Sequence, residues 1–139
     1  MSLTSDPTAF PPTNCDGTVG MDFYGATVSV TLAANQTIDA TATASVGGGS
    51  APVTTGLFMN MCYQQTAPAG GALVLDDAYF GPLSAAKDTL MPVSLTKSFA
   101  GLLAGTYTVG MCACVDGTNP TTSAWAEDYS WINVRVFQQ

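Results

Sequence analysis

The stretch Trp125-Ala126-Glu127-Asp128-Tyr129-Ser130-Trp131 is the densest aromatic and acidic cluster in the chain. An aromatic ring presents a negative π-face on which the apolar C–H face of a sugar can stack. Flanking carboxylates accept hydrogen bonds from sugar hydroxyls, and a charged acceptor strengthens such bonds. Trp125 would stack, Glu127 and Asp128 would accept, and the contact surface would run to Tyr129. Trp125 and Glu127 lie just ahead of the last strand-like run, residues 129–138, where a loop would leave them exposed. Core packing is the plainer reading of Trp131, whereas Trp125 is as apt to be exposed as buried. The chemistry expected here is noncatalytic binding of a neutral glycan, because the chain has almost no positive charge with which to hold sulfate, phosphate or sialic acid.

A second set of reactive atoms is built from sulfur. Met59, Met61, Cys62, Met111, Cys112 and Cys114 would together suit Cu(I). Both segments that carry them alternate as strands do, however, which sends the thioethers to one face and the thiols to the other. They cannot converge on one ion without a bulge, so neither a metal nor a cofactor is expected. The four cysteines read instead as disulfides. Cys112 and Cys114 share a strand face with Cβ atoms about 7 Å apart, against the ~3.8 Å that a disulfide needs. Their partners must be Cys15 and Cys62, with Cys62 joined to either Cys112 or Cys114 and Cys15 taking the other. A bridge from Cys62 closes a loop of about 50 residues, which the chain-entropy picture values on the order of 4 kcal/mol.

The chain has no histidine. That removes Ser-His-Asp and Cys-His triads, histidine-ligated zinc and imidazole acid–base catalysis. Asp76-Asp77 and Glu127-Asp128 pair carboxylates, as glycoside hydrolysis requires, but adjacent acids on a strand point to opposite faces. Asp116 and Asn119 lack the spacing of a calcium loop, and Gly47–Gly49 lacks that of a phosphate loop. The sequon Asn35-Gln36-Thr37 is of a kind that arises by chance in a threonine-rich chain. The chain is read as a non-enzyme.

Three basic residues, Lys87, Lys97 and Arg135, stand against ten acidic ones, for a net charge of −7 over 139 residues. Nucleic acid and anionic membranes need clustered Lys and Arg and are excluded as partners. Only 9% of residues are charged, and mean hydropathy is +0.25. A soluble domain usually carries about 25% charged residues. Threonine, serine, alanine and glycine must cover this surface, as on extracellular β proteins and on subunits that bury surface against their own copies. No apolar run is long enough for membrane insertion, and Met1-Ser2-Leu3-Thr4-Ser5-Asp6-Pro7 lacks the features of a signal peptide. The expected location is extracellular or cell-surface.

These residues must be positioned by strands. Runs at 26–33, 37–46, 53–64, 72–80, 91–100, 105–115 and 129–138 alternate apolar and polar side chains, separated by turn material such as Gly47-Gly48-Gly49-Ser50 and Gly81-Pro82. Residues 82–90 offer at most one helical turn. Residues 1–20, with Pro7, Pro11 and Pro12, read as an extended arm, and residues 21–139 as one domain. Along 58–65 and 106–115 the methionines face one way and the cysteines take the opposite, polar face. In the last run, Ile132, Val134 and Val136 face the core. Trp131, Asn133, Arg135 and Phe137 face outward, as a subunit contact or as a second buried face under the arm. The fold class is all-β, an antiparallel β-sandwich.

The segments Gly56-Leu57-Phe58-Met59, Pro92-Val93-Ser94-Leu95, Gly105-Thr106-Tyr107-Thr108-Val109-Gly110 and Val134-Arg135-Val136-Phe137 resemble TNF- and C1q-like jelly rolls, a superfamily that includes bacterial trimeric sugar-binding lectins. The resemblance implies a jelly-roll sandwich assembled as a homo-oligomer, a trimer in the first place, with lectin-like or adhesive binding outside the cell. The alternative is a structural subunit of a bacterial or viral surface appendage or coat.

Overall fold

The computed structural model describes residues 2–5, 20–49, 53–76, 80–115 and 125–138, the side chains of 2–5, 53–55 and 125–128 excepted. Nine strands form among them: β1 (Ser2–Ser5), β2 (Asp22–Leu32), β3 (Gln36–Gly48), β4 (Val53–Ala67), β5 (Leu73–Leu75), β6 (Phe80–Ala85), β7 (Thr89–Phe99), β8 (Gly105–Val115) and β9 (Trp125–Gln138). One sheet has the order β1-β9-β3-β7 and the other β2-β8-β4-β5, with β6 also paired to β4. Every ladder is antiparallel. Consecutive long strands alternate between the sheets, and strands from the two ends of the chain interleave. The strand pattern predicts the sandwich, and this jelly-roll arrangement of it is the one that the resemblance implies. Among the described residues no helix is long and apolar enough to cross a membrane.

Alternation explains the main core. Leu57, Met59 and Met61 of β4, Val109, Met111, Ala113 and Val115 of β8, and Ile132 and Val134 of β9 are buried between the sheets with Ile38, Ala40, Ala42 and Ala44 of β3. Alanine at every second position of β3 leaves room in that core for the long methionine side chains of β4 and β8. Outside, cross-strand hydroxyls pair, Thr41 with Thr96 at 2.9 Å and Thr43 with Ser94 at 2.6 Å. Such pairs favour the register at little cost in solubility.

Several sequence expectations need correction. The reverse face of β4 and β8 is not polar surface. Met21, Phe58, Cys62, Cys112 and Cys114 bury one another there in a second apolar cluster, with Phe23, Leu73 and Leu75 packed against it. The expected run 72–80 divides into β5 and β6, which occupy successive stretches of one β4 edge because the β4–β6 register shifts. Residues 82–90 hold no helix, since β6 runs to Ala85, β7 begins at Thr89 and the chain turns at 87–88 between them. Gly47 and Gly48 belong to β3 rather than to a turn. A Cβ at Gly47 would lie 1.7 Å from the Thr89 carbonyl oxygen, so only glycine lets β7 pair there. The proposed arm contains a regular element, since Ser2–Ser5 pairs with Ser130–Asn133 of β9.

Two bulges shape the end of the sandwich near β9. In β2 the register with β8 shifts between Phe23 and Thr27. The freed Ala26 N–H donates to Ser130 Oγ of the other sheet at 3.0 Å. In β9 the register with β3 shifts so that Ala44 faces Ser130 while Val46 faces Glu127. Asp128 and Tyr129 thus stand together opposite Ser45, a bulge with one extra residue in β9.

Candidate functional site

The bulge decides what becomes of the aromatic and acidic stretch. Trp125 does not precede the strand but begins it, opposite Gly48, with Glu127 opposite Val46. The alternation that would have revealed this is broken at Asp128 and Tyr129, so the run looks four residues shorter in sequence. Tyr129 is exposed. The side chains of Trp125, Glu127 and Asp128 lie outside the described residues, and so does Cys15.

Sulfur is settled further. Cys62 and Cys112 form a disulfide with Cα atoms 6.0 Å apart. Asn60 stands directly opposite Cys112, and Cys62 opposite Gly110, so the bridge runs diagonally between adjacent strands. Cys114 is also disulfide-bonded, and among the described residues no cysteine is free. Because the thioethers lie in the main core and these thiols are spent in bridges, the soft-metal set does not assemble.

The side chains that do come together lie on the outward face of β9, β3 and β7. Register places Arg135 opposite Asp39 and Asp39 opposite Ser98, in one row. The next row is Asn133, Thr41 and Thr96, and the third is Trp131, Thr43 and Ser94. Rows two residues apart are about 6.8 Å apart, and neighbouring strands about 4.8 Å. The first two rows, with Trp131 of the third and with Lys97, line a groove of about 570 Å³, of a size that takes small ligands. Trp131, Asn133 and Asp39 are half-buried, whereas Arg135 is exposed. Among the described residues the side chains of Asp39, Asn133 and Arg135 have no hydrogen-bond or ion-pair partner. The thiol and imidazole nucleophiles of acyl transfer have no counterpart in the groove, and its groups can donate and accept hydrogen bonds.

Beyond this groove the same face becomes apolar. Phe137 is exposed beside Thr37, whose hydroxyl is buried without a partner. Val136, expected in the core, is 38% exposed although its cross-strand partner Ile38 is fully buried, for on its other side β9 has no partner strand past Asn133 among the described residues. Sequence reasoning found the Trp131–Phe137 face unusual but missed Asp39, Thr41 and Thr96. The alternation of Asp39 and Thr41 with alanine was legible, yet only pairing three distant strands makes it a site.

No family model and no curated protein sequence matches the chain. Among solved structures it is similar to a chain of the IBDV viral particle, at 13% identity and a TM-score of 0.46. It is also similar to a chain of the infectious bursal disease virus Gx strain, at 15% identity and a TM-score of 0.38. Each match covers 99% of this chain but 31% and 32% of the viral ones, so the chain spans about a third of their length. The jelly-roll assignment rests on strand order and register rather than on these likenesses.

Proposed function

We propose that this chain is a noncatalytic structural subunit of a surface appendage or coat, assembled from copies of itself outside the reducing cytoplasm. The observation that carries this reading is the unequal treatment of the two edges of the four-stranded sheet. The β7 edge bears Pro92 and Lys97, residues that discourage strand addition. On the β9 edge, β1 pairs only with Ser130–Asn133. From residue 134 to 138 that edge has no partner strand among the described residues, and Val136 and Phe137 are exposed beside it. An open edge with apolar side chains is a template for main-chain pairing with another strand. The disulfide and the low charge suit an extracellular or surface location.

Light scattering on the native chain should give a mass that is a multiple of the 14.2 kDa subunit. The double change Val136→Thr and Phe137→Ser should shift it toward the monomer with the fold intact by circular dichroism. A native chain that stays monomeric up to its solubility limit, or an assembly indifferent to both changes, overturns the reading. Binding of neutral glycans is the second reading, and the observation that favours it is the groove beside Trp131.

A further inference from the structure

We propose that the groove on the outward face of β3, β7 and β9 is a binding site for a neutral oligosaccharide, with Trp131 as stacking platform and Asn133, Asp39 and Arg135 as the groups that fix orientation. It rests on the second reading above, and moves the contact from the Trp125–Tyr129 stretch to the sheet face.

Three features support a neutral sugar over other ligands. The first is the composition of the face. A sugar hydroxyl both donates and accepts, and only a surface offering both satisfies it on binding. Asp39 accepts, Arg135 donates and Asn133 does both, and none of the three is engaged elsewhere among the described residues. The second is charge. Asp39 and Arg135 are cross-strand partners whose charges balance, and the other cation lining the groove, Lys97, is held by Asp76. An anion would find one free guanidinium beside a carboxylate, in a chain of net charge −7. The third is spacing. Trp131 and Arg135 are four residues apart on one strand, about 14 Å along the face. A ring stacked on the indole lies beside Asn133 and Thr41, and a second linked ring lies beside Asp39 and Arg135. The face therefore fits a disaccharide or a longer chain better than a single sugar.

The sheet itself supplies rigidity. Thr41 in the floor of the groove is hydrogen-bonded to Thr96, and Thr43 one row beyond it to Ser94, which holds the floor in one arrangement before any ligand arrives. No strand need move for binding.

The test is a titration followed by tryptophan fluorescence and by amide chemical shifts, using lactose, maltose, cellobiose and chitobiose, with galactose and galacturonate as single-ring controls. The protein is the full chain, native and as Trp125→Phe, so that in the variant Trp131 alone reports. At least one disaccharide should saturate both proteins equally, more tightly than the single rings, shifting amides of residues 39–41, 96–98 and 131–135. Asp39→Asn and Arg135→Gln, which keep shape and fold, should each weaken it by about tenfold or more. Saturation of the native chain that is lost in Trp125→Phe places the sugar at Trp125, which keeps the glycan reading and overturns the groove. Tighter binding of galacturonate than of galactose overturns the neutral class. Silence from every sugar overturns both the groove and the glycan reading.

Discussion

Lys97 of β7 forms an ion pair with Asp76, the residue that follows β5, and so joins the two sheets across one open side of the sandwich. Asp76 is itself anchored to β4, its N–H donating to the Met61 carbonyl at 3.1 Å and its carbonyl accepting from Asn60 Nδ2 at 3.0 Å. The carboxylate is 15% exposed and the ammonium 36%. The pair thus lies between a solvated surface contact and a buried one.

Lys97→Met should cost about 2 kcal/mol, between the values for exposed and for buried pairs, because it removes the ammonium from beside a partly buried carboxylate. Adding Asp76→Asn to it should restore part of that loss. Urea unfolding of the two single variants and the double variant measures the coupling, and a loss below about 0.5 kcal/mol in Lys97→Met would show that solvent already screens the pair.

Cys62 and Cys112 are fully buried, beneath Phe58 and the neighbouring apolar side chains. Reductant should therefore reach the bridge only when the chain opens, and peptide mapping after brief treatment of the folded protein should still find 62 linked to 112. The joint change Cys62→Ala and Cys112→Ala should lower stability by about 4 kcal/mol, from the loop entropy of 50 residues with some lost packing. A loss near zero would mean that the β4–β8 ladder already confines these residues in the unfolded ensemble.

Tyr107 donates its hydroxyl to the Leu103 carbonyl at 2.8 Å, four residues upstream, and its ring lies against Tyr63 at 5.9 Å. Burial, with Tyr63 adding to it, holds the phenol above its ordinary value of 10.0. The folded chain therefore keeps this proton more tightly than the unfolded one. The associated stability is complete below the unfolded value and is lost as pH rises through the folded one. Tyr107→Phe should be less stable at neutral pH by about 1 kcal/mol, and the gap should close above about pH 10. Denaturant melts of both proteins across that range test this, and a gap independent of pH would refute it.

The sequence displayed the sandwich because alternation survives wherever a strand has one face on the main core. Met59, Met61 and Met111 fell on the expected side, as did Ile132 and Val134. Three things were hidden for physical reasons. Ser2–Ser5 has no apolar periodicity, so its pairing with β9 leaves no trace in composition. The bulge at Asp128 and Tyr129 interrupts the period of β9 and makes its first residues look like a loop. The face opposite the methionines reads as polar, since cysteine and asparagine there do not announce that Phe58 and Leu75 will cover them. The groove was the least legible feature of all, because Asp39 and Arg135 meet only through a ladder spanning most of the chain.

That last circumstance also sets a timetable. In β2 pairing with β8, and β3 with β9, each early strand waits for a partner made some eighty to a hundred residues later. Ladders of such long range fold slowly, because loop closure must precede the contacts that reward it. On the ribosome the first half of the chain can complete neither sheet, and Cys62 has no Cys112 to meet until β8 has emerged. The order of synthesis thus runs against the order of pairing, and the nascent chain carries open strand edges for most of the time it is being made.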